Sequence, residues 1–235
     1  MIEGIKLYYN VPNKPKKIII SIHGFASKKN SFFVNKMMNY FHKKNIGVVS
    51  FDLPGHGEDE NKNFDVNLAL TYIDNVLKHV REKYNVKICI VGTSMGGYLA
   101  CQYLLKYKNK LDCVILRYPA VDMYKSLSKI KKLDDLNKNS VLVVEGRNGK
   151  RDICLPYETI KYFKENKILD KALFIKNDIF VIQGVLDDLV DYKEIIKINK
   201  KNKLIKFKLI KNMGHHVRNK KNTNKMLYLI NKKFK

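Results

Sequence analysis

Apolar residues along the chain fall into two alternating patterns. Short runs without polar interruption, Lys17-Ile-Ile-Ile-Ser-Ile22, Gly47-Val-Val-Ser-Phe51, Ile88-Cys-Ile-Val91, Cys113-Val-Ile-Leu-Arg117, Ile179-Phe-Val-Ile-Gln183 and Leu204 to Ile210, predict strands, most of them buried on both faces. Between them lie stretches at helical spacing: residues 31 to 44 through Phe32, Phe33, Met37, Tyr40 and Phe41; an inward stripe of Leu68, Tyr72, Ile73, Val76, Leu77 and Val80; the run from Tyr98; Tyr192 to Asn199; and a last helix from Thr223. Ile5 to Tyr9 reads as a first strand, with a turn at Val11 to Pro15. Strand and helix alternating in this way predict an α/β fold, a doubly wound and mostly parallel sheet, whose ligands bind at the carboxyl ends of the strands.

One segment breaks the rhythm. Residues 118 to 177 hold a helical stretch from Met123 to Leu136, a hairpin turning from Val141-Leu-Val-Val144 through Gly146-Arg-Asn-Gly149 to Asp152-Ile-Cys-Leu155, and a helix led by Pro156. The segment emerges after a strand end, so it is expected to act as a cap roofing the site within a single domain spanning 1–235. Its aromatics Tyr118, Tyr124, Tyr157, Tyr162 and Phe163 serve either a substrate pocket or the cap's own core, and Tyr118 and Tyr157 are taken as the substrate-binding candidates.

Composition narrows the picture. The 235 residues are 45% hydrophobic, enough for a real core, and no apolar run approaches the ~18 residues of a membrane span. No signal-peptide h-region follows the first residues, and a cytoplasmic location is expected. Cys89, Cys101, Cys113 and Cys154 form no CxxC pair, so reduced thiols are expected in place of disulfides or zinc. The formal charge of +24 raises nucleic acid as a partner, but the cations are almost all Lys, dispersed and mixed with Asn. A groove reading phosphates or bases would concentrate Arg and aromatics on one face, so no nucleic-acid partner is expected.

The chemistry gathers at Ile88-Cys-Ile-Val-Gly92-Thr-Ser94-Met-Gly96-Gly97, where a buried strand runs through glycines into a helix. Gly92-x-Ser94-x-Gly96 is the nucleophile-elbow pattern, which lifts the serine hydroxyl out of the sheet and sets the Met95 amide beside it at a helix N-terminus. A serine hydroxyl is a weak nucleophile and needs a histidine base with a carboxylate to orient it. Of the six histidines, His42 and His79 lie within helices, and His23 and His56 sit in glycine loops as bracing groups. His215 and His216 follow the last strand, and His215, directly after Gly214, is the expected base. The strand ending at Gln183 runs into Gly184-Val-Leu-Asp187-Asp-Leu-Val190, making Asp187 the expected acid, with Asp188, Asp191 and Asp122 as alternatives. The order Ser94, Asp187, His215 is that of α/β-hydrolases.

With these residues the chain resembles an α/β-hydrolase of the serine esterase and serine aminopeptidase-like group. The resemblance runs through Ile22-His-Gly-Phe25, Asp52-Leu-Pro-Gly-His-Gly57, Gly92-Thr-Ser-Met-Gly-Gly97, Gly184-x-x-Asp187-x-x-Val190 and Gly214-His215. It implies an oxyanion hole of the Phe25 and Met95 amides, no metal and no cofactor, and hydrolysis of a small-molecule carboxylic ester through an acyl-enzyme. The insert's place, between the sixth and seventh strands of that family, is similar to the cap of small cinnamoyl or feruloyl esterases. The adjacent Asp187-Asp188 pair departs from relatives that carry one acid there. The same residues would also serve a thioesterase, a lysophospholipase or monoacylglycerol lipase, or an aminopeptidase. Ser94 at the elbow disfavours haloalkane dehalogenases and epoxide hydrolases, which carry Asp there, and the complete constellation disfavours a non-catalytic binder.

Overall fold

The computed structural model describes residues 2–108, 111–133, 135–146, 151–217 and 219–234. The strands are β1 (Leu7–Asn10), β2 (Lys17–Ile22), β3 (Ile46–Phe51), β4 (Lys87–Thr93), β5 (Cys113–Arg117), β6 (Val141–Val144), β7 (Ile153–Pro156), β8 (Ile179–Gly184) and β9 (Ile205–Ile210). The helices are α1 (Phe32–His42), α2 (Val66–Lys83), α3 (Met95–Tyr107), α4 (Met123–Ser128), α5 (Tyr157–Glu165), α6 (Ile168–Lys171), α7 (Tyr192–Lys201) and α8 (Lys220–Lys233). Among the described residues seven strands form one sheet in the order β1-β3-β2-β4-β5-β8-β9, parallel except where β1 runs against β3. The expected doubly wound sheet is the fold observed.

The sheet is covered on both faces because its central strands have no polar face to offer water. Ile19, Val48, Cys89, Val91 and Ile115 pack with Phe33, Met37 and Phe41 of α1 and with Met226, Leu227 and Ile230 of α8. Ile18, Ile20, Ile88, Ile90 and Val114 face the opposite layer, with Ile73, Val76 and Leu77 of α2 and Leu99 and Tyr103 of α3. Each fully buried aliphatic side chain of this kind contributes about 2 kcal/mol.

The winding direction creates the site. The chain passes from β2 through α1 to β3 on one side, then through α2 back to β4 on the other side of β2. The loops leaving β2 and β4 therefore diverge from neighbouring strand ends, opening a crevice between them. Ile22 pairs in register with Gly92, so the Gly24-Phe25 loop and the Ser94 turn emerge side by side.

Several boundaries differ from expectation. The first strand begins at Leu7, because Ile5 and Ile2 exchange backbone hydrogen bonds of 2.7 and 3.1 Å in a tight turn. The helix expected to reach Leu136 stops at Ser128, where Ile130 points to solvent and cannot continue the buried stripe of Met123 and Leu127. The last helix starts at Lys220, capped by Asn219, whose side chain accepts from the Asn222 amide. The short α6 and the following 3-10 turn, Ala172–Phe174, were not expected from periodicity.

The expected hairpin is present as β6 and β7, with Val144 opposite Ile153 and Leu142 opposite Leu155. Its turn residues 147–150, Gly149 included, lie outside the described residues. The insert sits at the carboxyl side of the sheet: Cys154 O accepts from the Phe64 amide at 2.9 Å, the Arg151 guanidinium donates to Asp59 O and Asn61 O, and Lys129 Nζ donates to Asp188 O at 2.7 Å. Phe163 is fully buried against Tyr98 and Phe64, so it belongs to the core.

Candidate active site

Ser94 has φ 51° and ψ −115°, a conformation that costs a non-glycine residue about 1–3 kcal/mol. The surroundings impose it. The Ser94 amide donates to Arg117 O at 2.9 Å, while Ser94 O accepts from the amides of Gly97, Tyr98 and Ala120 at 2.9 to 3.2 Å. The flanking glycines are required by proximity: a Cβ on Gly92 would lie 2.6 Å from Gly96 O, and one on Gly96 would collide with the carbonyls of Ile22 and His23.

His215 Nε2 lies 3.0 Å from Ser94 Oγ, and His215 Nδ1 lies 2.9 Å from Asp187 Oδ2 and 3.0 Å from Oδ1. Imidazole Nδ1–H donating to the carboxylate leaves Nε2 free to accept from the serine hydroxyl. The Asp187 side chain is fully buried, and it accepts the amides of Leu189 (3.0 Å) and Val190 (2.8 Å) and the Gln183 side-chain amide (3.1 Å). The Leu186 amide donates to Met213 O at 3.0 Å, locking the acid loop to the histidine loop. This clasp and the Gln183 contact were not legible in the sequence, since both depend on which loops meet.

The other candidates have different occupations. His216 is exposed and meets His215 edge to face. Asp191 caps α7 by accepting the Lys193 amide, Asp122 caps α4 by accepting the Lys125 amide, and Asp188 is exposed. His23 Nε2 accepts from the Leu53 amide at 3.0 Å and its Nδ1 faces Gly24 O at 2.8 Å, bracing the loops after β2 and β3. His56 is fully buried, with Nδ1 on Pro54 O; burial and then repulsion from His23 push its pKa down to about 3, so it is neutral. Asp52 ties the same loops: burial works against its ionisation, but Lys29 and the amides of Glu58 and Lys29 outweigh this and hold it below the usual carboxylate range.

Met95 is the first residue of α3, where an amide has no acceptor within its own helix. A Cβ on Gly24 would lie 3.3 Å from Ser94 Cβ, so the chain entering Phe25 passes directly beside the serine.

A cavity of about 240 Å³ opens onto Ser94 and His215. Tyr118 lines it, with its ring 4.7 Å from that of His215. Tyr157, the second pocket candidate, heads α5, half-buried, with its amide on Ser140 O, and is not among the lining residues. The far wall comes from α1, through Phe32, Phe33 and Val34, while among the described residues the insert contributes Tyr118 alone. Arg117 also lines the cavity, which the sequence reading did not single out. An Arg closing an apolar strand, in a chain whose cations are almost all Lys, was the available signal.

Among the described residues no cluster of three or more His, Cys, Asp or Glu side chains is arranged to hold a metal ion, and no helix is long and apolar enough to cross a membrane. The four cysteines are free, Cys89 and Cys101 buried, and burial pushes the Cys101 thiol up to about 12.

Comparison with known proteins adds lineage to this geometry. Residues 13–150 match the family model described as "Serine aminopeptidase, S33". A putative esterase/lipase 2 from Mycoplasma pneumoniae is 27% identical over 146 residues, covering 60% of this chain and 54% of that protein. Monoacylglycerol lipase abhd6-B from Xenopus laevis is 26% identical over 196 residues, covering 82% and 55%. The chain thus spans about half the length of the curated relatives it matches. In three dimensions it is similar to Est1E from Butyrivibrio proteoclasticus with ferulic acid bound, at a TM-score of 0.79 and 20% identity, covering 99% of this chain and 97% of that one, which supports the fold. A sheet wound in this order, a strained serine at its central elbow and a family match over more than half of its length lead to one conclusion: the chain belongs to the serine aminopeptidase family of the α/β-hydrolases.

Proposed function

We propose that the protein hydrolyses carboxylic esters through an acyl-enzyme on Ser94, with His215 as general base and Asp187 as its orienting acid. The observation that carries this reading is the unbroken hydrogen-bonded path from Asp187 through His215 to Ser94 Oγ. His215 Nε2 takes the hydroxyl proton as Ser94 attacks the ester carbonyl, and the buried Asp187 carboxylate stabilises the imidazolium that forms. The oxyanion is received by the amides of Phe25 and Met95. His215 then returns the proton to the departing alcohol, and a water activated by the same nitrogen releases the acid and restores Ser94.

Tyr118 serves as a wall of the substrate pocket. The names of the relatives, esterase/lipase and monoacylglycerol lipase, favour an ester over a peptide bond. A thioesterase or aminopeptidase would use the same three residues. A reducing, cytoplasmic setting fits the four free thiols.

The test is labelling with a fluorophosphonate probe followed by turnover of a panel of chromogenic esters, hydroxycinnamate esters, thioesters and peptide amides. Labelling at Ser94 with ester turnover is the expected result; a protein that neither labels nor turns over any ester is not the hydrolase proposed.

A further inference from the structure

Arg117 is an unusual neighbour for an ester-cleaving site. It ends β5 directly before Tyr118, is only 2% exposed, and shares the cavity with Ser94 and His215. Buried cations are ordinarily paired with carboxylates or phosphates. Here the partners are neutral: Nε donates to Met226 Sδ (3.5 Å), Nη1 to Thr93 Oγ1 (3.1 Å) and Nη2 to the Tyr118 hydroxyl, while the guanidinium lies over the Phe33 ring at 3.2 Å from its centroid. A guanidinium carries five N–H donors, so one hydrogen on each Nη has no acceptor among the described residues. Burial pulls its pKa down, and the contact with Tyr118 opposes this. The group remains charged, since an Arg in a protein does not lose its proton.

We propose that Arg117 is an anion subsite of the Ser94 cavity and that the substrate is an ester carrying a carboxylate on its acyl or alcohol part. This deepens the ester-hydrolase reading and rests on it. Three features converge. The cation is fixed: Phe33 stacks its plane and Thr93 and Tyr118 hold both terminal nitrogens, so little side-chain freedom remains to be lost on binding. Among the described residues the charge has no counterion, so an entering anion displaces no carboxylate there. Thr93, which holds Nη1, is the residue before Ser94, and Tyr118, which holds Nη2, packs on His215, so the cation sits within one side chain of both reacting groups. In a cavity of about 240 Å³ an anion reaching Arg117 is a short distance from the carbonyl that Ser94 attacks. A small acid half-ester matches this scale better than a long uncharged acyl chain.

The test compares para-nitrophenyl monoesters of glutaric acid and of glutaramic acid, which differ only in the charge of the far end. Wild-type enzyme should favour the glutarate by about tenfold or more in kcat/KM, the range of a charge-assisted hydrogen bond in a desolvated site. Arg117→Met should bring that ratio close to one, and Arg117→Lys should leave it in between. Calorimetry on Ser94→Ala, with glutarate and separately with inorganic phosphate, reads the subsite without turnover. Binding of either anion that is lost in the Ser94→Ala, Arg117→Met double variant supports the subsite, and phosphate binding more tightly than glutarate would overturn the carboxylate as the group it receives. Should the Met variants fail to fold by circular dichroism, the wild-type ratio and the Ser94→Ala titration still decide. If neither anion binds Ser94→Ala and the wild-type ratio is one or less, Arg117 is a structural strut and the proposal is overturned. Anion binding through Arg117 with no turnover of any ester would instead reject ester hydrolysis and leave the anion site standing.

Discussion

His215 Nε2 and Ser94 Oγ are 3.0 Å apart although 121 positions separate them in the chain. That contact forms only when the loop after β9 reaches back across the sheet to the end of β4, and the catalytic predictions follow from it. Ser94→Ala should abolish fluorophosphonate labelling and lower ester turnover by about six orders of magnitude, as removal of a triad nucleophile does. The melting temperature should change little, because the side chain is half-buried and the turn is held by backbone bonds. Turnover near the wild-type rate in purified mutant protein would reject Ser94 as the nucleophile.

The two adjacent histidines should behave differently. His215→Ala removes the proposed base and should cost about four or more orders of magnitude in kcat, whereas His216→Ala removes an exposed ring at the cavity edge and should alter KM more than kcat. The same contrast applies to the paired acids. Asp187→Asn should reduce kcat about 10⁴-fold by disfavouring the required imidazole tautomer, and Asp188→Asn should cost less than about threefold. Steady-state kinetics of the four variants on one ester checks both pairs; a reversed order within either pair identifies a different catalytic residue.

His56 should make the fold acid-sensitive. Its pKa is about 3 in the folded state, against about 6.5 in an unfolded chain. The unfolded state therefore binds more protons between these values, and stability present above about pH 6.5 is lost progressively as pH falls toward 3. The slope from this residue is at most about 1.4 kcal/mol per pH unit. Urea unfolding at pH 7.5 and pH 5 should show a smaller loss in His56→Gln than in wild type. An equal loss in both would mean that His56 is not the buried neutral group described.

Lys29 and Asp52 form a buried pair at 2.6 Å that joins the β2–α1 loop, which carries Phe25, to the loop after β3. Lys29→Met takes the cation from the Asp52 carboxylate, leaving it the Lys29 and Glu58 amides as donors, and should destabilise the protein by about 2–3 kcal/mol near neutral pH. Because Asp52 is held below its ordinary pKa, this difference is present above about pH 4 and shrinks as pH falls through the lower folded-state value. Denaturant titrations of wild type and Lys29→Met at pH 7 and pH 3.5 measure it; a gap that grows in acid would contradict the assignment.

Much of this protein is written locally. β2, β3, β4, β5 and β8 were legible to within a residue or two because each is a run of apolar residues with no polar face, and only a strand covered on both sides accommodates it. The elbow was legible because a serine at φ 51° needs glycines where strand and helix approach, and those glycines stand at fixed spacing around Ser94. α4 was overextended and α6 missed because one or two turns of helix are too short to establish a period.

Other features depend on which loops meet. Four acids were available by position, and Asp187 faces His215 because the Leu186–Met213 clasp and the amides of Leu189 and Val190 aim its carboxylate there, while Asp122 and Asp191 are taken up as helix caps. The cavity wall comes from α1 where the insert had been expected, because the insert packs over α3 and the loop after β3 and, among its described residues, presents only Tyr118 to the cavity. Arg117 reads in sequence as the end of one more buried strand. That its charge is buried beside Ser94 with no carboxylate partner among the described residues is a property of the packed molecule, since neither burial nor pairing is carried by a residue on its own.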